Sequence, residues 1–389
     1  MKLLITGARG FIGKNLITTL NNIRTGRDKS FGILEDICVY EYDIDSSLEL
    51  LDAYCADCDF VFHLAGVNRP KDQSEFMEGN FGFTSVLLET LKRHGNTCPI
   101  MLSSSIQAVL DNPYGKSKKA GEELLFEYGK ETGAPIYVYR YPNVFGKWCR
   151  PNYNSAIATF CHNIARGLPI QVNDRNTKMS LVYIDDLVLE LLEALEGRAH
   201  MDGDGYCYVP IEHDATLGEI VDLLYSFQAS RKEREVPEME PGSLSKKLYA
   251  TYLSYLPTDQ FSYPLTMNAD ERGSFTEILR TAERGQFSVN ITKPGIAKGN
   301  HWHHTKNEKF VVVSGKALIQ FRRIGGDEVV EYHVSGDKME AVDIPPGYTH
   351  NIINEGDTDL VTFMWSSECF NLSKPDTYFE EVQGAGNLH

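Results

Sequence analysis

Short apolar runs alternate with longer amphipathic stretches from residue 1 to about residue 230. Leu3-Leu4-Ile5 reads as a strand, and the apolar positions from Phe11 to Leu20 recur at helical spacing. Cys38-Val39-Tyr40 and Phe60-Val61-Phe62-His63-Leu64 are the next two strands, and Thr84 to Leu91 is a helix. Ile100-Met101-Leu102, a helix from Tyr114 to Tyr128 and the strand Ile136-Tyr137-Val138-Tyr139 continue the alternation. Strands separated by helical crossovers predict an α/β domain with a doubly wound parallel sheet. Helical spacing recurs over Ile157 to Arg166, Leu187 to Leu195 and Leu217 to Phe227, with less sheet between these segments.

The charge-rich segment Ser230 to Gly242, with Pro237 and Pro241, interrupts the pattern and reads as a solvated helix end. The texture changes after it. From Phe261 onward short β-rich runs dominate, at Phe287 to Ile291, Phe310 to Val313, Ala317 to Phe321, Val329 to Val334, Ala341 to Ile344 and Leu360 to Trp365. Gly, Pro, Asn and Asp separate them, which predicts an all-β barrel or sandwich. The expected domains are 1–250, α/β, and 258–389, all-β.

Composition narrows the function classes. Of 389 residues, 42% are hydrophobic and 24% charged, as in ordinary globular proteins, and the net charge is −16. That acidity argues against nucleic acid, whose phosphates demand an excess of Lys and Arg. No apolar run is long enough to span a bilayer, so no membrane partner is expected. The N-terminal apolar run stops after Ile5 and lacks a cleavage site, so it predicts a buried strand and a cytoplasmic location. Eight cysteines are scattered along the chain, and only Cys55 and Cys58 have C-x-x-C spacing. They read as structural thiols in a reducing compartment.

Thr6-Gly7-Ala8-Arg9-Gly10-Phe11-Ile12-Gly13 follows the first strand directly and opens the first helix. Gly7 permits a tight turn, Gly10 lets the backbone approach a pyrophosphate, and Gly13 lets the helix pack closely on the sheet. The helix N-terminus supplies free N–H groups to phosphates. The chemistry this predicts is dinucleotide binding. Two signals for the adenosine ribose conflict. Asp43 and Asp45, near the end of the second strand, suit the 2′-hydroxyl of NAD. Arg9, inside the glycine loop, suits the 2′-phosphate of NADP.

Tyr114 and Lys118 are four residues apart on one helix and share a face. An ammonium beside a phenol favours phenolate, which tunes Tyr114 for proton exchange with a carbonyl or hydroxyl oxygen. Ser103-Ser104-Ser105 ends the strand before that helix and can hydrogen-bond the same oxygen. These segments, with His63-Leu64-Ala65-Gly66, Asn80 and Arg140-Tyr141-Pro142-Asn143-Val144-Phe145-Gly146, resemble the extended short-chain dehydrogenase/reductase family over most of residues 1–230. The resemblance implies a Rossmann fold and a nucleotide-sugar substrate. It implies catalytic roles for Tyr114, Lys118 and Ser105, the third serine matching the family position and Ser104 being the fallback. Cofactor contacts are implied at Gly7, Arg9, Gly10, Phe11, Ile12, Gly13, Leu64, Ala65 and Lys118, and substrate contacts or ordering of the site at Asn80 and Asn143.

A second chemistry lies in the β-rich part. His301 and His303 are spaced to project to one side of a strand, Glu308 can return after a turn, and His350 follows Pro345-Pro346-Gly347-Tyr348-Thr349. Three imidazoles and a carboxylate suit Zn, Fe, Mn or Ni. Both segments resemble the signatures of the cupin family, except that Met339 stands where the second has glycine. His304 is exposed or supports the ligands. Asp270-Glu271-Arg272-Gly273-Ser274-Phe275-Thr276-Glu277 resembles nucleotide-sugar 3,5-epimerases, themselves cupins, which implies that Arg272 faces a nucleotide diphosphate.

Together the halves resemble a family of bifunctional enzymes of capsular polysaccharide synthesis. The resemblance implies C3 epimerisation of UDP-2-acetamido-2,6-dideoxy-4-ketohexose in the cupin. NADPH-dependent reduction at C4 in the first domain would follow, giving UDP-2-acetamido-2,6-dideoxy-β-L-talose toward UDP-N-acetyl-L-fucosamine. The implied cofactors are NADPH and a divalent metal, with Zn preferred, and the implied partner is a second copy in a homodimer through the cupin. The epimerisation base is not named by these residues. The alternative is an NAD-dependent nucleotide-sugar epimerase or dehydratase with a structural, dimerising cupin.

Overall fold

In the computed structural model of the protein, described over residues 1–31 and 37–383, the first strand feeds two different cores. Leu3 and Ile5 join one buried cluster and Leu4 the other. Phe60 and Phe62 part from Val61 in the same way, and Met101 from Ile100 and Leu102. Successive strand residues point to opposite faces, so both faces of this sheet are covered, as a parallel sheet requires.

The chain divides into two units, Met1–Tyr225 with Met239–Pro257, and Ser226–Glu238 with the chain from Thr258 onward. In the first, the order is β1 (Lys2–Thr6), α1 (Phe11–Arg24), β2 (Cys38–Tyr42), α2 (Leu48–Cys55), β3 (Phe60–His63), α3 (Ser74–Met77) and, after a π-helical turn, α4 (Phe83–His94). Then come β4 (Ile100–Ser105), α5 (Pro113–Thr132), β5 (Ile136–Tyr141), β6 (Asn143–Phe145), α6 (Ala156–Ile164), β7 (Lys178–Tyr183), α7 (Ile184–Leu195) and β8 (His213–Thr216). The last helices are α8 (Leu217–Glu233), within which the division falls, and α9 (Leu244–Ser254). The main sheet has the order β2-β1-β3-β4-β5, all parallel. Chain order reverses between β1 and β3, so the crevice at their carboxyl ends is where a doubly wound fold binds its ligand.

The second unit holds β9 (Met267–Asp270), β10 (Gly273–Thr281), β11 (Gly285–Thr292), β12 (Ala297–Trp302), β13 (Glu308–Ser314) and β14 (Lys316–Arg323). It continues with β15 (Val329–Ser335), β16 (Ala341–Ile344), β17 (Tyr348–Asn354), β18 (Leu360–Ser366) and β19 (Tyr378–Phe379). Two antiparallel sheets, β16-β13-β18-β11-β10-β9 and β15-β14-β17-β12-β19, face each other. Phe310, Val312 and Ile344 from one meet Ile319 and Ile352 from the other in a shared core.

Several elements differ from the sequence expectation. The small sheet β6-β7-β8 and helices α2 and α9 are additions to it, and Ser47 and Ser243 start those two short helices as N-caps. Where Met339 replaces the glycine of the cupin signature, the chain turns earlier, at Gly336, whose N–H donates to the Gly315 carbonyl. The charge run is not simply a solvated helix end. Its residues 234–236 run parallel to Arg280 at the end of β10, with Arg280 N–H donating to Arg234 O and Val236 N–H to Arg280 O. Main-chain pairing of this kind needs no apolar pattern, so the sequence carries little trace of it.

Candidate functional sites

The glycine loop is shaped by close approach of two backbones. Gly7 has φ +70°, and a Cβ there would lie 2.8 Å from the Ala65 nitrogen in the loop after β3. A Cβ at Gly13 would lie 2.4 Å from the Gly7 carbonyl oxygen. Gly10 caps α1 without any side-chain hydrogen bond, so the first N–H groups of that helix stay available to an anion. Gly7, Arg9, Gly10, Phe11, Ile12 and Gly13 thus border the crevice with Leu64 and Ala65, and these groups fit a dinucleotide pyrophosphate. The two ribose signals turn out to be bonded to each other. The Arg9 N–H donates to Asp43 Oδ2 at 2.8 Å, and the Arg9 guanidinium pairs with Asp45.

Tyr114 sits in the first turn of α5, which Asn112 caps by accepting from Gly115 N–H and which Pro113 opens. Lys118 follows one turn on, its Nζ 5.9 Å from the Tyr114 ring centre and donating to Ser103 O at 3.0 Å. Burial pushes Lys118 down to about 8, against the pull of Glu122. Tyr114 departs from the expected tuning. Burial raises its phenol above the ordinary value, and the Ser105 hydroxyl only partly offsets this. Tyr114 is therefore protonated at neutral pH.

The three serines separate by role. Ser104 donates to the buried carboxylate of Glu122 at 2.5 Å. Glu122 also receives the Arg140 guanidinium and the Tyr206 hydroxyl. Ser105 is the serine beside Tyr114, and it caps the short helix after β4 by accepting from Gln107 N–H. Glu122 is a residue that motif reasoning missed, although its position four after Lys118 on a polar helix face was a usable signal.

Asn80 uses its side-chain amide within the protein. Its Oδ1 accepts from Val67 N–H at 2.9 Å, and its Nδ2 donates to Val67 O and to Ser117 Oγ. It braces the loop after β3 against α5. His63 is similarly structural, bonded to Thr6 and Thr84 and held neutral by burial, which lowers it to about 3. Asn143 is exposed on β6 and donates to Ser180 O. Cys55 and Cys58 do not pair as a motif: Cys58 Sγ lies 3.8 Å from Cys98 Sγ, and all eight cysteines are free.

In the second unit His301, His303, Glu308 and His350 converge, with one ligand atom from each within 4.8 Å of the others. β12 ends at Trp302, so His303 lies just beyond the strand on which it was expected. A bulge at Gly299–His301, with Asn300 at φ +56°, turns His301 inward opposite His350. His303 Nδ1–H donates to Asp376 O at 2.6 Å, which leaves Nε2 free to face the cluster. His303 Nε2, His350 Nε2 and Glu308 Oε2 are buried with no hydrogen-bond partner among the described residues. Buried polar atoms without partners are costly, and a shared divalent cation would satisfy all of them. The residues therefore fit a metal. Burial acts to raise the Glu308 carboxyl, but His303 and His350 outweigh it and hold it well below the usual range. His304 is exposed and packs against Trp302 and Tyr378.

A cavity of about 740 Å³ opens on this cluster within the second unit. Arg272 lines it, with its guanidinium paired to Asp270 at 2.7 Å. Phe275, Phe310 and Phe370 supply apolar wall.

Known proteins share both halves. Residues 3–205 match the NAD dependent epimerase/dehydratase family and residues 268–378 the polysaccharide biosynthesis C-terminal domain. The UDP-2-acetamido-2,6-beta-L-arabino-hexul-4-ose reductase of Pseudomonas aeruginosa is 44% identical, over 97% of this chain and 98% of its own length. The crystal structure of the capsular polysaccharide assembling protein CapF from Staphylococcus aureus has 54% identity and a TM-score of 0.90, over 98% of this chain and 100% of that one. The chain belongs to the CapF family. Within that family the parallel sheet followed by an all-β unit is the shared architecture, and membership implies a nicotinamide cofactor in the first unit. A UDP-glucuronic acid 4-epimerase of Bacillus cereus in complex with NAD, 23% identical with a TM-score of 0.51 over 66% of this chain and 98% of that one, shares the fold. Among the described residues no helix is long and apolar enough to cross a membrane.

Proposed function

We propose that this CapF-family chain is a UDP-sugar 4-reductase that also epimerises its substrate at C3. The second unit inverts C3 of UDP-2-acetamido-2,6-dideoxy-4-ketohexose. The first unit then reduces the C4 ketone with NADPH to UDP-2-acetamido-2,6-dideoxy-β-L-talose, toward UDP-N-acetyl-L-fucosamine for capsule or another surface polysaccharide. The reaction order is thus the reverse of the chain order. The observation that carries this reading is the convergence of His301, His303, Glu308 and His350 on a cavity, in a chain whose other unit sets Tyr114 and Ser105 at a dinucleotide crevice.

Bound, the nicotinamide supplies hydride, and a divalent cation, Zn²⁺ in this reading, polarises the 4-keto group so that the neighbouring C3 proton is acidic. The protein's own groups do the rest. His301, His303, Glu308 and His350 would hold the cation where the cavity opens on them. Ser105 hydrogen-bonds the C4 oxygen and Tyr114 gives it a proton during reduction. Lys118, as an ammonium, holds the nicotinamide ribose. Arg9 reads the 2′-phosphate when a ligand draws it from Asp45. Asn143 is a contact for the sugar nucleotide, and two copies associate through their second units.

The test is incubation with the 4-keto UDP-sugar in D₂O, with and without NADPH. Deuterium at C3 without NADPH, and a reduced sugar only with stoichiometric NADPH, are expected. Epimerisation or dehydration that returns its hydride, with no net NADPH used, would favour the epimerase/dehydratase alternative and exclude this reading.

A further inference from the structure

The cavity of the second unit carries the wrong charge for this protein. The chain as a whole is at −16. Arg234, Arg272, Arg280, Lys298 and Lys306 nevertheless line this cavity. They stand against Asp270, Glu277 and Glu308, an excess of two positive charges before any metal is bound. Such local fields concentrate anionic ligands.

The cations are not equivalent. Arg272 is bonded through Nε and Nη2 to Asp270 at an exposed edge, so this pair is neutral. Lys298 donates to Asn290 Oδ1 and to Ile291 O. Lys306 donates to Thr377 and stands 3.9 Å from Glu308. Arg234 and Arg280 share one carboxylate. Arg280 grips Glu277 through Nε and Nη2, each at 2.7 Å, and Arg234 Nε reaches the same Oε1 at 3.1 Å. Two guanidiniums on one acid leave one net positive charge. Arg234 spends only Nε on Glu277, and Arg280 keeps Nη1 besides the spare hydrogen of Nη2. Glu277 and the main-chain bonds between the two arginines hold both planes in place before a ligand arrives. Pre-set arginine pairs suit phosphate oxygens, because less side-chain freedom is lost on binding.

The strand register puts this pair near the metal cluster. Arg280 on β10 pairs with Gln286 on β11, Gln286 with Ser366 on β18, and Ser366 with Glu308 on β13. The row therefore crosses one sheet from the arginine pair to a metal ligand, with neighbouring strands about 4.8 Å apart. That is about 14 Å of backbone over three strand spacings, and the arginine, Glu308, His301 and His350 side chains narrow it by reaching into the same cavity, as a sugar ring bonded directly to its β-phosphate requires.

We infer that Arg234 and Arg280, fixed by Glu277, form the subsite that binds the diphosphate of a nucleotide sugar in the second unit. This rests on the proposed nucleotide-sugar chemistry and deepens it. It assigns the diphosphate to residues outside the Arg272 motif, one of them from the segment that precedes the barrel.

The test uses the full chain with two readouts. The first is solvent deuterium exchange at C3 of the 4-keto UDP-sugar. Arg234→Gln and Arg280→Gln each raise its KM at least tenfold and leave kcat within about threefold, and Arg234→Lys restores part of the loss. The second is calorimetric titration with UDP. Wild type shows two sites per chain, and Arg234→Gln loses one of them while its thermal unfolding stays cooperative. Unchanged KM and unchanged UDP stoichiometry in both Gln variants would overturn the subsite, as would a loss confined to Arg272→Ala. If wild type shows no C3 exchange, the functional reading fails, and the UDP titration still decides the subsite.

Discussion

The Nδ1–H of His303 points at the main-chain oxygen of Asp376, 2.6 Å away. That contact selects the ring tautomer that offers Nε2 to the cluster. The Asp376 carboxylate also accepts from the N–H groups of His304, Thr305 and Lys306, so one residue orients His303 and fixes the loop leading to Glu308. Outer partners of metal ligands typically contribute about 10–100-fold in affinity. Asp376→Ala keeps that main-chain oxygen but removes the carboxylate that fixes it against the loop, and it is expected to weaken divalent metal binding by about that factor, measured by competition with a chelating dye. An unchanged affinity would show that the main-chain oxygen stays against His303 without the carboxylate.

Ser104 and Ser105 are adjacent on β4 yet serve different neighbours. Ser105→Ala removes a hydroxyl beside Tyr114, and a fall of about 10²-fold in kcat for reduction is expected, as for loss of one donor at a developing oxyanion. Ser104→Ala leaves Glu122 short of one buried partner, which costs about 1–3 kcal/mol of stability. Its kcat is expected to change little. Urea unfolding and single-turnover reduction together separate the two, and the opposite ranking would reverse the assignment.

Lys118 gives a pH signature with a definite sign. Its ammonium is pushed down to about 8, whereas Tyr114 is raised above its ordinary value. Reduction needs both protonated. The rate should be level below pH 7 and fall as pH rises through about 8, when Lys118 loses its proton. Lys118→Arg, which stays charged, should lower the plateau and remove that descending limb. A wild-type kcat/KM profile still level at pH 10 would exclude Lys118 as the titrating group.

Arg9 is held by Asp43 and Asp45. If it reads the 2′-phosphate, Arg9→Ala should raise KM for NADPH about tenfold, in line with loss of a charge-assisted hydrogen bond of roughly 1.5–3 kcal/mol. KM for NADH should stay within twofold. Asp45→Ala should instead favour NADPH, because it releases the guanidinium. Equal changes for both cofactors in Arg9→Ala would mean that Arg9 serves only the loop.

The alternating strands, the glycine loop, the Tyr114–Lys118 spacing and the His301, His303, Glu308, His350 set were all readable in the chain. Each depends on periodicity or turn chemistry, or on residue types that few other arrangements require. Three things were decided only by the fold. Ser104 was separated from Ser105 by Glu122, which comes to β4 from α5. Arg9 was set against Asp43 and Asp45 because β1 and β2 are parallel neighbours whose ends coincide. Arg234 was brought into the second unit by main-chain bonds to Arg280, which carry no side-chain code. Local patterning specifies which elements form, since it acts through neighbouring residues. Which polar groups share a partner depends on register between strands distant in sequence, and that is set by the packing of the whole core.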